Sequence, residues 1–217
     1  MKARSGKPVS EPPSLVEENG LMSKGYRFIA GIDEAGRGAL AGPVVAAAVI
    51  LPQSPDFPWL RAVRDSKEIT PAKRESLFDL IKQDAIAVSV GIIASQTIDV
   101  INILNATKVA MCHAVEQLAC PPDFLLIDCL RLPQLRISQK PIIHGDKLCL
   151  SIACASIIAK VTRDRIMVEL DQLHPGYGLA HHKGYGTKHH VFCLRQQGPS
   201  TIHRHSFAPV REAAQTK

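Results

Sequence analysis

Four carboxylates in this sequence each come at, or shortly after, the end of a short apolar run. Asp33 and Glu34 follow "YRFIAGI", Asp128 ends "FLLID", and Asp146 follows "KPIIHG". If these runs are strands whose ends meet at one edge of a sheet, the four acids converge on one spot. Like charges so close repel and raise each other's pKa values unless divalent cations neutralise them. The sequence therefore predicts a candidate metal site, although Asp at a strand end is also common in solvated turns.

The donor atoms of this candidate site indicate its chemistry. Carboxylate oxygens, without a Cys pair or an organised set of His, favour Mg²⁺ or Mn²⁺ over zinc. Two such ions about 4 Å apart are a common device for in-line displacement at a phosphoryl group. We therefore expect Mg²⁺ or Mn²⁺ as the cofactor, with two divalent ions present during catalysis.

The composition indicates a globular chain with one main domain. Its 217 residues are 46% hydrophobic and 21% charged, and this length is enough for a sizeable core. The formal net charge of +6 favours a polyanionic partner. Residues 181–217 hold six Lys or Arg, six His and a single acid, Glu212. We expect this C-terminal part to carry much of the positive surface.

The cysteines and the N-terminus indicate the compartment. The six cysteines form no Cys-x-x-Cys pair, and several lie in apolar runs, so we interpret them as reduced thiols of the core. The sequence begins without an apolar signal region, and no later run approaches the roughly 20 apolar residues of a membrane span. These observations predict a soluble cytoplasmic protein without a membrane partner.

Local patterns predict an α/β arrangement. Residues 1–25 contain Pro8, Pro12 and Pro13 without periodicity, which is typical of a mobile arm, and the folded domain then spans residues 26–217. Strands first form a hairpin and afterwards alternate with helices, which indicates a mixed sheet covered by helices. The first expected elements are a hairpin around the turn after Glu34, a helix capped by Thr70 before Pro71, and a strand at 85–93. A helix at 95–118 follows and is broken near Asn102 or Asn105. The last elements are strands ending at Asp128 and Asp146, and a long helix from Ser151 to the stop at Pro175 and Gly176.

Several motifs together resemble the ribonuclease HII family, a type 2 ribonuclease H. In unbroken order within residues 28–190 they are "GIDEAGRGALAGPVV", "DSK" at 65–67, "LLID" at 125–128, "GDKLCLSIACASIIAKVTRDR" at 145–165 and "HKGYGT" at 182–187. The resemblance implies the ribonuclease H-like fold, a mixed five-stranded sheet flanked by helices. It also implies a C-terminal helical portion, from about residue 187, that contacts the duplex.

The resemblance also implies roles for individual residues. Asp33, Glu34, Asp128 and Asp146 become the metal-binding catalytic carboxylates. The substrate-binding residues expected from the matching motifs and their surroundings are Gly36, Arg37, Gly38, Lys67, Ser151, His182, Lys183 and Tyr185. Among these, the glycine turn recognises the ribonucleotide, and Tyr185 stacks near the scissile junction. Cys129 departs from the family, which more often has glycine there. The related ribonuclease HIII has a "GKG" turn, whereas this chain has Arg37, so ribonuclease HII is favoured.

A physical reason supports the role of the glycine turn. Without side chains, backbone groups can approach a sugar closely and detect a 2′-hydroxyl, which is both donor and acceptor. A site whose polar groups are satisfied only by that hydroxyl discriminates strongly against DNA. The alternative, a hairpin turn that needs positive φ, accounts for some of these glycines but not for the whole tract.

Other polar residues have plainer interpretations. Lys160 and Arg163 lie three residues apart on the long helix and form either a solvated face or a phosphate contact. His203 and His205 form an isolated His-x-His, which we interpret as surface histidines rather than a metal site.

The resemblance implies an endoribonuclease. It would hydrolyse RNA in RNA/DNA hybrids and incise duplex DNA at embedded ribonucleotides, leaving 3′-hydroxyl and 5′-phosphate ends, and we expect it to act as a monomer. One alternative is another two-metal nuclease or phosphatase. A second is a non-catalytic nucleic-acid-binding protein that uses only the basic C-terminal surface. Four clustered acids argue against the second, because without metal they would repel phosphates.

Overall fold

The protein is represented by a computed structural model that describes residues 12–215. Its centre is a five-stranded sheet in the order β3-β2-β1-β4-β5. Strand β1 pairs antiparallel with β2, which pairs antiparallel with β3, whereas β1, β4 and β5 run parallel. The strands are β1 (Ile29–Ala35), β2 (Val44–Ile50), β3 (Ala87–Ile93), β4 (Phe124–Asp128) and β5 (Ser138–Ile142). The mixed sheet predicted from the sequence is confirmed.

Helices cover both faces of the sheet. They are α1 (Val16–Met22), α2 (Pro71–Asp84), α3 (Ser95–Ile101), α4 (Ile103–Glu116), α5 (Gly145–Leu148), α6 (Leu150–Leu173), α7 (Leu179–His182), α8 (Lys188–Gln197) and α9 (Ala208–Gln215). A short 3₁₀ helix spans Pro58–Ala62. No helix among residues 12–215 is both long and apolar enough to cross a membrane.

Two helix boundaries show the expected capping chemistry. The Thr70 hydroxyl accepts a hydrogen bond from the amide of Lys73, and Pro71 takes the first position of α2, where its missing N–H has no consequence. The break between α3 and α4 falls at Asn102, which has a φ of 63° and whose side chain accepts from the amide of Asn105. The positive φ ends the helical path of α3, and the Asn side chain satisfies a free amide at the start of α4.

The two faces of the sheet bury separate apolar clusters. Ala30 and Ile32 of β1 pack on the side of α4, whereas Ala35 packs with α2 and α6 on the other side, as strand alternation requires. Gly31 lies directly beneath the start of α6, where a Cβ would overlap the backbone of Ser151. The absence of a side chain therefore brings α6 against β1, just before the strand reaches Asp33.

The C-terminal helices form a third cluster against the glycine turn, residues 36–43 between β1 and β2. Leu40 of this turn packs with Met167 of α6, Leu179 of α7, Leu194 of α8 and Val210 of α9. The expected C-terminal helical portion is therefore present, and it supports the turn that follows the paired acids.

Two expectations need correction. The described part of the expected N-terminal arm is folded, because Ser14 exchanges backbone hydrogen bonds of 3.0 Å with Leu148 and Leu150 and α1 follows it. Residues 1–11 lie outside the described residues. The strand expected to lead into Asp146 ends at Ile142, and Asp146 is instead in the short helix α5.

The cysteines also differ in part from the expectation. All six are free thiols, and Cys112, Cys149, Cys154 and Cys193 are buried. Cys120 is only partly buried and Cys129 is exposed, so the interpretation of core thiols is wrong for Cys129. Its φ of 56° lies in the left-handed region that favours glycine, which gives a reason for the glycine implied by the family resemblance.

Candidate active site

The carboxylates meet at the edge where the parallel strands β1 and β4 end. Asp33 and Glu34 lie near the end of β1, and Asp128 is the last residue of β4. Asp146 is the second residue of α5, and the amide of the preceding Gly145 donates a 2.7 Å hydrogen bond to Asp128 Oδ1. This bond fixes α5 against the end of β4. The sheet topology therefore brings together the four acids predicted from the sequence.

The paired acids on β1 leave opposite faces of the strand. Asp33 shares the face of Ala35 and extends toward Ser156 of α6, whereas Glu34 shares the face of Ile32. Both carboxylates nevertheless lie within electrostatic range of Asp128. Asp33 and Glu34 therefore both interact with the charge of Asp128, although they leave opposite faces of β1.

Burial and mutual repulsion set the protonation of these acids. Burial raises the pKa of Asp33 well above its ordinary value, and the charges of Glu34 and Asp128 raise it further. Burial also raises the pKa of Glu34, against the opposing charge of Arg37. The pKa of Asp146 is raised by burial and then by Asp65 and Asp128. Burial and mutual repulsion thus disfavour the fully ionised state of the cluster, and added positive charge would stabilise that state.

Basic side chains partly balance this charge. Arg37 Nη1 lies 3.2 Å from Glu34 Oε1, and Lys67 Nζ lies 3.8 Å from both Asp65 Oδ1 and Asp146 Oδ2. Burial works to lower the pKa of the Lys67 ammonium, but the carboxylates of Asp65, Asp146 and Asp33 outweigh it, and the pKa is raised. The ammonium therefore stays charged beside the acids.

Asp65 is a fifth carboxylate that sequence reasoning missed. It is buried, it lies near Asp146, and it also pairs with Lys147 Nζ at 3.8 Å. The signal was present in the "DSK" motif, from which only Lys67 was assigned. Its position links the loop before α2 to the carboxylate edge.

The acids suit a hard divalent cation. Glu34 Oε2 is buried and has no hydrogen-bond partner, and an unsatisfied buried carboxylate oxygen is costly. All available donors are carboxylate oxygens, the ligands that Mg²⁺ and Mn²⁺ prefer. Within residues 12–215, no three His, Cys, Asp or Glu side chains already form a group that could hold a metal ion. The acids are therefore gathered at one edge but not yet arranged as a cage.

A cleft of about 460 Å³ opens beside this edge. It brings the paired acids together with the glycine turn, the "DSK" motif, α6 and the loop 183–187, called the tyrosine loop because it carries Tyr185. Its lining residues are Glu34, Ala35, Gly36, Arg37, Gly38, Ser66, Lys67, Ser156, Lys160 and Tyr185. Five of the residues predicted to bind substrate, Gly36, Arg37, Gly38, Lys67 and Tyr185, therefore face one cavity. Ser66 and Ser156, joined by a 2.9 Å hydrogen bond, are lining residues that were not predicted.

The glycine turn is held from beneath by two buried arginines. Gly36 has a φ of 97°, and a Cβ there would overlap the Arg163 guanidinium. Arg163 donates to the carbonyls of Ala41 and Pro43, and Arg204 donates to that of Arg37 at 2.9 Å. Because Arg163 is fully buried, neither its predicted solvated face nor a phosphate contact is correct. Its role is to fix the turn.

Tyr185 reaches the cleft from the other side of the turn. It is half-buried, and its ring centroid lies 5.6 Å from Lys160 Nζ and 5.3 Å from Arg163 Cζ. Its backbone forms an antiparallel bridge with Ala39. The ring is therefore placed next to the glycine turn, with cations over its π-system.

The remaining residues predicted to bind substrate lie elsewhere. Ser151 is fully buried, and its amide donates to Glu18, so contact with a phosphate is excluded for Ser151 in this fold. Half-buried His182 uses Nε2 on the carbonyl of Tyr177 and Nδ1 on the amide of Gly184, which leaves no ring nitrogen for a phosphate. Lys183 is partly buried, and its ammonium donates to the carbonyl of Ala180.

The fold and the carboxylate edge together define a class of protein. A mixed β3-β2-β1-β4-β5 sheet with acids at the ends of its central parallel strands is a ribonuclease H-like fold with the donor set of a metal-dependent phosphodiester hydrolase. The chain belongs to the ribonuclease HII family, because the sequence model described as Ribonuclease HII matches residues 30–210.

Individual relatives agree with this assignment. The chain is 54% identical over 204 residues to a protein named Ribonuclease HII from Dehalococcoides mccartyi, covering 94% of this chain and 97% of the relative. The crystal structure of the ribonuclease H2 from Pyrococcus horikoshii OT3 is similar with a TM-score of 0.73 and 26% identity, covering 86% of this chain and 97% of that one. A ribonuclease HIII solved in complex with Mn²⁺ has a similar fold at 20% identity, with a TM-score of 0.67 and coverage of 98% and 77%.

Proposed function

We propose that this chain, a ribonuclease of the HII family, hydrolyses the RNA strand of RNA/DNA hybrids and incises duplex DNA at single embedded ribonucleotides. Cleavage falls on the 5′ side of the ribonucleotide and leaves 3′-hydroxyl and 5′-phosphate ends. The observation that carries the proposal is the junction of the carboxylate edge and the glycine turn, which share one cleft through Glu34 and Gly36. One part suits phosphodiester hydrolysis, and the other suits recognition of a ribose.

The cofactor we propose is Mg²⁺ or Mn²⁺, held by Asp33, Glu34, Asp128 and Asp146. The buried, unpartnered Glu34 Oε2 and the raised pKa of Asp33 support it, since both are relieved by a cation. The Mn²⁺ complex of the similar ribonuclease HIII supports it as well. When bound, divalent ions at such a site activate the attacking water and stabilise the leaving 3′-oxygen.

The chain's own residues supply positioning and charge. Lys67 is exposed beside Asp146 and retains its proton, so it is placed to attract a phosphate of the scissile strand. Arg37 and Gly38 are exposed at the cleft, on a turn whose carbonyls are held by Arg163 and Arg204. A turn fixed in this way offers its backbone to the ribose without having to reorganise.

Tyr185 completes the recognition site in this proposal. Its half-buried ring beside Ala39 suits packing against the sugar of the nucleotide that follows the ribonucleotide. A deoxyribose presents a flatter apolar face than a ribose, whose 2′-hydroxyl would be desolvated against the ring. We further propose a cytoplasmic enzyme that acts as a monomer. Its free thiols support the compartment, because disulfides are rare in reducing surroundings.

The test uses three labelled duplexes with Mg²⁺: a continuous RNA/DNA hybrid, a DNA duplex with one ribonucleotide, and an all-DNA duplex. We expect internal cleavage of the first two alone, with the ends named above. Asp33→Asn and Asp128→Asn should abolish cleavage. Asp79→Asn, which removes an exposed carboxylate on α2, should retain it.

Release of terminal phosphate without internal cleavage would indicate a phosphatase. Binding without cleavage would indicate a nucleic-acid-binding protein, and either result would refute the proposal.

A further inference from the structure

Three histidines pack against one another beneath the loop that carries Tyr185. The rings of His182 and His190 stack with centroids 4.4 Å apart, and His190 Nε2 lies 3.1 Å from His203 Nε2. His190 and His203 are completely buried. The prediction of a surface position for His203 is wrong, because His190 and Tyr177 cover its ring.

The hydrogen bonds of these rings fix where each proton resides. The Ser200 amide donates to His203 Nδ1 at 3.0 Å, so His203 carries its proton on Nε2 and donates it to His190 Nε2. His190 must then carry its proton on Nδ1, which donates to the carbonyl of Tyr185 at 3.0 Å. The bonds thus run in one direction, from Ser200 through both neutral rings to Tyr185.

The same bonds exclude two other uses of these rings. A metal ion between the rings would need a free lone pair on both Nε2 atoms, but His203 Nε2 carries a proton. A phosphate contact would need a protonated or exposed ring. Burial lowers the pKa of His190 to about 4 and that of His203 to about 3, so both stay neutral at physiological pH. Their remaining use is structural support of the backbone, and the 3.0 Å bond from His190 Nδ1 is directed at the Tyr185 carbonyl.

The Tyr185 carbonyl belongs to the residue whose ring lines the cleft. The Tyr185 carbonyl also accepts from the amide of Thr187, the N-cap residue of α8, at 2.8 Å, so the bond from His190 is a second bond from the same helix. His190 belongs to α8, so its bond ties this carbonyl to a packed helix. On the opposite side, the amide of Leu40 donates to the carbonyl of Gly184 at 2.8 Å. The tyrosine loop is therefore held between the glycine turn and His190.

We propose that His190, supported by His203, is a positioning residue that sets the placement of the Tyr185 ring in the cleft. It thereby determines how strongly the enzyme prefers a single embedded ribonucleotide over a continuous hybrid. The inference rests on the proposed function, in which Tyr185 packs against the sugar next to the ribonucleotide. His190 itself touches no substrate, and its effect passes through the backbone of Tyr185.

Two amide substitutions separate the bond to Tyr185 from the rest of the ring. Asn carries its amide nitrogen near the position of His Nδ1, so His190→Asn can still donate to the Tyr185 carbonyl. Gln reaches the position of Nε2, so His190→Gln keeps a partner for His203 and loses the donor to Tyr185. Both side chains are neutral and both remove the ring stacked on His182. The two variants are therefore reciprocal, because Asn keeps the bond to Tyr185 and loses the one to His203, whereas Gln keeps the bond to His203 and loses the one to Tyr185.

The measurement is the ratio of kcat/KM for the single-ribonucleotide duplex to kcat/KM for the hybrid. We expect His190→Gln to lower this ratio about fivefold, the factor that corresponds to one hydrogen bond of ~1 kcal/mol, and His190→Asn to keep it within about twofold. In a Tyr185→Ala background His190→Gln should leave the ratio unchanged, because the ring it positions is absent. A purely structural role would instead reduce both activities together. Equal ratios in the Gln and Asn variants would overturn the inference.

A second measurement does not depend on activity. In the metal-free protein, the NMR signals of the Tyr185 ring should shift in His190→Gln and stay near their wild-type positions in His190→Asn. If the wild-type protein cleaves neither substrate, the proposed function fails while this measurement still tests the anchor. If cleavage occurs but Tyr185→Ala leaves the ratio unchanged, the link to specificity is wrong. Unshifted Tyr185 signals in His190→Gln would show that His190 positions nothing.

Discussion

The carboxylate of Glu18 in α1 accepts a 2.9 Å hydrogen bond from the backbone amide of Ser151, in the first turn of α6. The same oxygen lies 3.1 Å from the Cys149 thiol, and α6 has no side-chain cap of its own. A residue distant in sequence therefore performs the task of an N-cap and satisfies a free helical amide. Because α6 begins four residues after Asp146, α1 supports the junction that carries a proposed metal ligand.

Glu18→Ala should destabilise the protein by about 1–2 kcal/mol, since it removes a cap and leaves a buried amide unsatisfied. The matched control is Glu17→Ala in the same helix. Glu17 forms a surface pair with Lys140 at 2.7 Å, and such pairs contribute little. Urea unfolding of both variants without metal provides the comparison, and Mg²⁺ affinity should weaken only in Glu18→Ala. Equal losses of stability in the two variants would contradict the capping role.

Local sequence rules identified the elements whose causes are local. The Thr70 cap, the break at Asn102 and the hairpin after β1 depend on residues within a few positions. Helix α1 was missed because seven residues after a Pro-rich stretch show no periodicity. Its stability comes from residues distant in sequence, because buried Leu21 belongs to one apolar cluster with Leu126, Ile142 and Ile152. A single sequence does not display such contacts.

The residues of the candidate site also fall into two groups, those that local sequence patterns predict and those that only the folded chain reveals. The positions of Asp33 and Asp128 near strand ends could be predicted, because the end of an apolar run is visible in the sequence. The burial of His203 and Arg163 was not visible, because polar residues are usually exposed and only the folded chain reveals their partners. Ser151 was assigned to substrate binding for the related reason that Glu18, which accepts from its amide, lies far away in sequence.

Burial of Asp33, together with repulsion at the carboxylate edge, predicts a specific pH dependence of metal-free stability. The folded-state pKa of Asp33 is raised above the ordinary value of 3.8. Between 3.8 and the raised pKa, the folded state therefore binds more protons than the unfolded state. By linkage, this group's contribution makes stability fall as the pH rises through that window. In the metal-free protein, ionisation of Asp33 therefore lowers the free energy of unfolding as the pH rises above 3.8.

Asp33→Asn should consequently raise the metal-free stability at pH 7, by about 1.4 kcal/mol for each unit of the pKa shift, and should flatten this part of the pH dependence. Addition of Mg²⁺ should stabilise the wild-type protein more than the variant, because ligand binding to the folded state adds stability. Thermal unfolding at several pH values, with and without Mg²⁺, measures both effects. Exposed Asp79→Asn is the control and should match the wild type. A metal-free Asp33→Asn protein that is less stable at pH 7 would contradict the interpretation.

The two buried arginines beneath the glycine turn provide the last prediction. Arg204 donates from Nη1 to the carbonyl of Arg37 at 2.9 Å, from Nε to that of Gly42 at 3.1 Å, and from Nη2 to that of Pro43 at 3.1 Å. Burial, followed by the charge of Arg163, lowers its pKa to about 9, so the guanidinium remains charged at neutral pH. One planar group thus serves three carbonyls of the turn, which a single ammonium cannot reproduce.

Arg204→Lys should therefore leave at least one turn carbonyl unsatisfied and cost about 1–3 kcal/mol of stability. The turn should also lose its fixed placement in the cleft, so kcat/KM should fall on both ribonucleotide substrates while Kd for an all-DNA duplex changes little. Arg195→Lys is the matched control, since Arg195 is an exposed residue of α8. If Arg204→Lys retains both wild-type stability and wild-type kcat/KM, the arginine does not hold the turn. If stability falls but kcat/KM at a temperature where the variant is folded does not, Arg204 supports the fold without placing the recognition turn.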